Sequence, residues 1–139
     1  MTTQTLNLNM IPHGVQPVAY ASQFDEQTNA IIFKLYNFVD NHDVERIMSK
    51  LSTPKGYVPV HILLYTLPGV PSIYYGSEFG IEGRKGHGAE ADAPLRPKMC
   101  YGDWAEEINN NPYTGFVTAL GKIRREIKAL SYGDYREQN

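Results

Sequence analysis

The chain has 139 residues, 42 % hydrophobic and 20 % charged, which suits one soluble domain with a single core and excludes a disordered or collagen-like protein. Thirteen Lys and Arg against fifteen Asp and Glu leave a formal charge of −2, so no global basic field exists to hold nucleic acid or an anionic membrane surface. Cys100 is the single cysteine, which excludes an internal disulfide and a cysteine-based metal cluster. The apolar runs are far short of the roughly 20 residues that span a bilayer, and the polar N-terminus lacks a signal-peptide core, so a soluble, unexported, cytoplasmic chain is expected.

Residues 1–29 are polar, with turn formers at Pro12, Gly14 and Pro17, and only residues 18–24 suggest a weakly amphipathic turn or short helix. Residues 31–39, Ile-Ile-Phe-Lys-Leu-Tyr-Asn-Phe-Val, are rich in β-branched and aromatic side chains with little alternation. That pattern predicts a strand buried on both faces. It ends in Asp40-Asn41-His42-Asp43. Val44, Ile47, Met48 and Leu51 then fall on one face of a short helix begun near Asp43, and residues 52–56 break it. Residues 57–67 are apolar nearly all round; Pro59 suits a first helical turn and Pro68-Gly69 stops the segment, which predicts a buried helix.

Residues 72–75 follow as a short strand ended by Gly76, and the order strand, helix, strand makes the two strands parallel neighbours. The glycine-rich stretch 77–110 reads as a long loop, a feature that in a compact domain is usually functional or disordered. Asn111-Pro112 forms an N-cap and first-turn pair for a final helix. Its apolar stripe is Phe116, Val117, Leu120, Ile123, Ile127 and Leu130; Lys122, Arg124, Arg125 and Lys128 lie opposite, and Gly133 ends it. No internal repeat or low-complexity tract interrupts this single unit of β-α-β-α type.

In parallel α/β architectures the polar residues just past the C-terminal strand ends form the ligand site. Here those residues are Asp40 to Asp43 and Gly76-Ser77-Glu78. Taken alone, a strand-end carboxylate is more often a cap or turn residue, and His42 more often a loop histidine than a ligand. Asp92 and Arg96, four apart in the long loop, read locally as a solvated ion pair. Glu78 suits a substrate contact and a structural hydrogen bond equally. Tyr74 and Tyr75 alternate, so at least one should pack in the core rather than serve as a stacking platform for a ligand. His61 is expected as a satisfied core histidine and His87 as exposed. No two histidines have a local ligand spacing, so neither a metal nor any cofactor is called for.

The stretch Tyr36-Asn37-Phe38-Val39-Asp40-Asn41-His42-Asp43 with Arg46 resembles the seventh-strand motif of the alpha-amylase superfamily of glycoside hydrolases. Leu67-Pro68-Gly69-Val70-Pro71-Ser72-Ile73-Tyr74-Tyr75-Gly76-Ser77-Glu78-Phe79-Gly80 is similar to its eighth strand and the loop after it. Ile123-Arg124-Arg125 with Ala129-Leu130 is similar to its last barrel helix, so the resemblance covers roughly residues 35–133. It implies α/β class: a partial (β/α)8 TIM barrel, its last two βα units, with parallel strands. Residues 1–30 are then a leader or pre-strand segment, 31–134 the C-terminal quarter of a catalytic barrel, and 135–139 a tail.

For single residues, the resemblance implies that Asp43 is the family's third carboxylate, stabilising the transition state by gripping hydroxyls of the distorted sugar. His42 would hydrogen-bond the same ring and Asn41 would orient the pair. Asp92 and Arg96 match an acid and an arginine that contact outer sugars in some members, and Glu78 lies at the rim of the site. Retaining glycosidases need a nucleophilic carboxylate and a protonated acid about 5 to 5.5 Å apart. The family's Gly-x-Arg-x-Asp-like nucleophile motif and its general-acid Glu are both absent from this chain, and so is the third-strand Asn-His motif.

The expected protein is therefore a fragment or truncated relative of an enzyme acting on α-glucosidic bonds of starch-like or malto-oligosaccharide substrates, not catalytic alone. The alternative is a non-catalytic sugar-binding or assembly module on the same scaffold. Two strands cut from a barrel leave open edges, which predicts self-association or a complementing chain, unless the leader covers the core.

Overall fold

The run of β-branched and aromatic residues forms the central strand of a three-stranded sheet, in a computed structural model that describes residues 20–25 and 30–133. Strand β1 (Tyr20–Asp25) pairs antiparallel with β2 (Ala30–Asn37), in a register from Tyr20 opposite Leu35 to Asp25 opposite Ala30. On the other side, β3 (Val70–Pro71) pairs parallel with β2, Tyr36 opposite Val70 and Asn37 opposite Pro71. The parallel neighbours predicted from the strand-helix-strand order are present. Their bounds differ: β2 stops two residues short of Val39, and the second strand precedes residues 72–75. Pro71 has no N–H to continue the ladder, and its last bond runs from the Ser72 N–H to the Asn37 carbonyl at 2.8 Å.

Two expectations need correction here. Residues 20–25 are a strand rather than a turn or short helix, because a six-residue ladder with β2 outweighs a weak local preference. The sheet is consequently mixed, and only β2 and β3 keep the parallel arrangement of a barrel part. Nor is β2 buried on both faces. Leu35 and Tyr36 point to opposite sides of the strand yet are 56 % and 41 % exposed.

Helix α1 (Ile47–Lys50) begins later than Asp43, because the preceding residues form a turn instead. The Asn41 side-chain oxygen accepts from the N–H groups of Asp43 and Val44, and an Asp40 carboxylate oxygen accepts from that of Ile47. Val44 stays exposed, whereas Met48 is buried and Leu51 packs on the core. Helix α2 (Tyr57–Thr66) buries Tyr57, His61 and Leu64, one face at i, i+4 and i+7. Val58, Ile62 and Leu63 remain exposed, so the helix is half-buried, not enclosed. Its stop is the one predicted: Gly69 takes φ +123°, and a Cβ there would meet the Leu35 carbonyl oxygen at 2.5 Å.

The stretch 77–110 is not one loop. Short 3-10 turns at Ser77–Phe79 and Ala93–Leu95 are followed by helix α3 (Tyr101–Asn110), which sequence reasoning missed. Helix α4 (Pro112–Glu126) has Pro112 in its first turn, and the cap oxygen of Asn111 accepts from the Tyr113 N–H at 2.9 Å, as predicted. The single final helix breaks at Ile127, and α5 (Lys128–Tyr132) runs on to Gly133. Ile123 and Ile127 of the predicted stripe are exposed, while Arg124 of the supposed polar face is buried.

The core joins Met48, Tyr57 and Val117, with Leu51, Tyr65, Ile73, Tyr113 and Phe116 packed around them. Asp40, Arg46, Ser49, His61, Ser77 and Arg124 are as buried as the apolar residues, so hydrogen bonds as well as apolar contacts define this interior. No helix of the described residues is long and apolar enough to cross a membrane. The leader turn formers Pro12, Gly14 and Pro17 and the tail 135–139 lie outside the described residues.

Candidate functional site

The segment after β2 sends its side chains in two directions. Asp40 turns inward: both its carboxylate oxygens accept from the Ser77 hydroxyl, at 2.9 and 2.7 Å, and the Ile47 N–H donates at 2.9 Å. Ser77 arrives from the end of the β3 segment through Gly76, whose φ of +87° and tight approach to Ile81 suit only glycine. Arg46, with no exposed surface, spans the same junction and lies 4.1 Å from the Tyr74 ring centre.

His42 and Asp43 turn outward, 58 % and 59 % exposed, with His42 Nε2 3.2 Å from Asp43 Oδ2. The long loop brings cations to the same carboxylate. Arg96 Nη2 lies 3.0 Å from Asp43 Oδ1 and 3.4 Å from Asp92 Oδ2, while Arg96 Nε donates to the His42 carbonyl at 3.0 Å. Lys85 Nζ sits 2.9 Å from Asp92 Oδ1 and donates to the Asp43 carbonyl at 3.4 Å. The Asp92 carboxyl is held below the usual carboxylate range, first by the hydrogen bond from Lys85. Exposed pairs of this kind contribute little to stability. Chemically, the cluster alternates acceptors (Asp43, Asp92) with donors (His42, Arg96, Lys85), an array that matches neighbouring hydroxyls of a polyol.

Four of the residues singled out in the sequence thus meet: His42, Asp43, Asp92 and Arg96. Asn41 stands beside them with its side-chain oxygen committed to the turn, which fits an orienting role. Glu78 is joined to the cluster by no hydrogen bond or ion pair among the described residues. It is half-buried, its Oε2 has no hydrogen-bond partner, and its carbonyl accepts from the Thr114 hydroxyl at 3.1 Å. Burial first, and then the charge of Glu78, raise the pKa of the Tyr57 hydroxyl, which donates to the Ser77 carbonyl at 2.9 Å.

Neither strand-end tyrosine enters the core. Tyr74 is half-buried over Arg46, its ring 6.4 Å from that of His42, and Tyr75 is exposed with its hydroxyl on the Pro97 carbonyl. Both follow Pro71, past the last strand pairing, where alternation no longer sends one side chain inward. His87 is exposed as expected. His61 is in the core but only half satisfied: Nδ1 lies 2.9 Å from the Tyr57 carbonyl, and Nε2 has no partner. Among the described residues no group of three His, Cys, Asp or Glu is placed to hold a metal ion. Sequence reasoning missed Lys85, which no local spacing marks, and it placed Asp40 and Ser77 among the strand-end ligand residues, whereas they turn inward with Arg46. That inward set had a signal, since all three lie inside the two strand-end motifs.

A sequence model of the family described as "Alpha amylase, catalytic domain" matches residues 3–128, well before the residue 35 at which the motifs begin to be readable. The chain is 30 % identical over 102 residues to a cyclomaltodextrinase of Thermoanaerobacter pseudethanolicus, which covers 73 % of this chain and 16 % of the relative. It is 26 % identical over 137 residues to an intracellular maltogenic amylase of Bacillus subtilis, covering 98 % and 21 %. A 4-alpha-glucanotransferase of Thermotoga neapolitana is 31 % identical over 123 residues, covering 74 % and 26 %. The chain therefore spans only about a sixth to a quarter of the length of these relatives.

Proposed function

The chain belongs to the alpha-amylase catalytic-domain family, and from that premise we propose that it carries the sugar-gripping part of a glycoside hydrolase site for α-glucosidic bonds of starch-like or malto-oligosaccharide substrates. The observation that carries this reading is the outward pair His42 and Asp43 at the end of β2, met by Arg96 and Asp92 from the long loop. Asp43 accepts hydroxyls of the ring at the scissile bond and tightens on them as positive charge develops there. His42 donates to the same ring, Asn41 keeps the turn that aims both, and Asp92 with Arg96 takes the next sugar. Glu78 acts at the rim, behind the Ser77 turn.

The chain does not complete bond cleavage by itself. It contains neither the nucleophile motif nor the general-acid motif, and the carboxylate that shares Arg96 with Asp43, that of Asp92, is held below the usual carboxylate range by Lys85, which does not suit a proton donor. A supporting surface is the uncovered apolar side of α2 and β2, which suits self-association or a complementing chain. A cytoplasmic setting fits the name of the Bacillus subtilis relative, an intracellular maltogenic amylase. The module reading, binding without turnover, shares the same residues and differs only in what else is present.

The test is twofold. Maltodextrin and a chromogenic α-glucoside are offered to the purified chain beside an Asp43→Asn variant, and maltose binding is titrated by NMR for the parent, His42→Ala and Asp43→Ala. Expected are no turnover and maltose binding near the millimolar range, about −4 kcal/mol, weakened about tenfold or more by either alanine as charged hydrogen bonds are lost. Turnover that Asp43→Asn abolishes would overturn the non-catalytic reading. Absence of maltose binding, or binding indifferent to both alanines, would overturn the sugar site.

A further inference from the structure

Arg46 is fully buried and, among the described residues, has no carboxylate bonded to it directly; Asp40 reaches it through the Ser77 hydroxyl, at 3.3 Å from Arg46 Nη1. Enclosing a guanidinium costs several kcal/mol, and an apolar residue of similar volume would often stabilise the fold as well or better. Stability is therefore a poor reason for an arginine at this position. Its contacts give a better one.

Arg46 ties together three stretches far apart in the chain, two through its planar fork and the third through its backbone N–H. Nη1 donates to the Tyr75 carbonyl at 2.7 Å and Nη2 to the Leu95 carbonyl at 2.8 Å, while the Arg46 N–H donates to the Gly83 carbonyl at 2.9 Å. The two loop points so held are Gly83 and Leu95. Lys85 departs two residues after the first and Arg96 one residue after the second, and these are the two cations that reach Asp43. Gly83 is further fixed by its N–H to Ser49 Oγ at 2.8 Å. There is no slack at this contact: a Cβ on Gly83 would stand 2.7 Å from the Pro94 oxygen and 2.9 Å from Arg46 Cγ. Arg46 itself starts three residues after Asp43, so one residue anchors both the acid's own turn and the loop that faces it.

We propose that Arg46 is a positioning residue whose guanidinium, by holding the Leu95 carbonyl against the Tyr75 strand end, fixes the loop so that Arg96 meets Asp43 in one geometry. This rests on the sugar-site reading of His42 and Asp43 for its consequence in binding, but not for the geometry itself. Lysine cannot replace it, because a single ammonium does not span two carbonyls from different segments.

The experiment follows the Asp43 carboxylate carbon by NMR in the full chain. Replacing Arg96 by Gln should displace that signal in the parent and leave it unmoved in an Arg46→Met background, where Arg96 no longer reaches Asp43. The Met48 methyl and Tyr57 ring signals report whether the core of the variant is intact. If Arg46→Met loses its core signals, Gly83→Ala decides in its place, since it pries the same contact with the guanidinium still present. Equal displacement by Arg96→Gln in the parent and in the folded variant would overturn the proposal. Maltose affinity, read separately, should fall about tenfold in the positioning variant. If the parent binds no maltose, the sugar reading fails alone, and the Asp43 signal still decides the role of Arg46.

Discussion

His61 is the residue whose environment makes the sharpest demand on solution conditions. Its ring has no exposed surface, stacks on Tyr57 with centres 3.8 Å apart, and leaves Nε2 without a partner. Burial lowers its pKa from the ordinary value, against smaller opposing effects of the Tyr57 carbonyl and Asp40. The folded state thus keeps the imidazole neutral at pH values where the unfolded chain already takes up a proton, near 6.5 and below. Stability is full above that value and declines as pH falls through it towards the depressed folded pKa. Urea midpoints measured between pH 7.5 and 5 should fall for the parent and fall less for His61→Phe, which keeps the stack and cannot be protonated. Parallel declines in the two proteins would assign the acid sensitivity elsewhere.

Among the elements, α2 depends on a residue of another helix for its C-terminus. Arg124 of α4 donates to the carbonyls of Tyr65, Leu67 and Gly69, groups that no residue of α2 satisfies, and it thereby holds the crossover into β3. Arg124→Met should lower the unfolding free energy by about 1 to 3 kcal/mol, because charged hydrogen bonds to partly buried carbonyls are lost. A urea midpoint unchanged from the parent would contradict that role. Local chemistry made several elements legible. Pro68-Gly69 marked the end of α2, Asn111-Pro112 the start of α4, and the motif around His42 and Asp43 the outward pair. Arg124 was misread because periodicity assigns a charged residue to solvent, whereas its partners lie 55 to 59 positions earlier in the chain. Helix α3 was missed for a similar reason: its Trp104 stacks on Phe79, 5.1 Å away, a tertiary contact rather than a stripe. β1 was missed because its ladder with β2, rather than any pattern of its own, makes it a strand. Lys85 joined the site by the path of the loop, which spacing does not encode.

At the scale of the whole molecule, the described chain leaves an apolar side uncovered. A groove of about 400 Å³ runs between the end of β2 and α2, lined by Tyr36, Phe38, Val39, Val60, Leu63 and Leu67 among others. Leu63 is 57 % exposed beside it, and Leu35, Val58 and Ile62 extend the apolar surface. Among the described residues, β1 covers the outer edge of β2 from Ala30 to Leu35, and the strand's last two residues, next to the groove, pair with β3. β1 thus protects part of that edge. Apolar patches with an adjoining open strand edge favour association. Sedimentation velocity across a hundredfold range of concentration should therefore show a reversible shift above the monomer, weakened about tenfold or more in Leu63→Glu, since enclosing one leucine contributes about 1.5 to 3 kcal/mol. The glutamate variant should keep the parent's maltose affinity, because Leu63 lies on α2 and takes no part in the cluster around Asp43. A parent that stays monomeric throughout would show that the groove tolerates water, and a variant that associates as strongly as the parent would move the contact to another face. If association and sugar binding are lost together in Leu63→Glu, the two surfaces are coupled, and the site around Asp43 needs a covered groove to hold its shape.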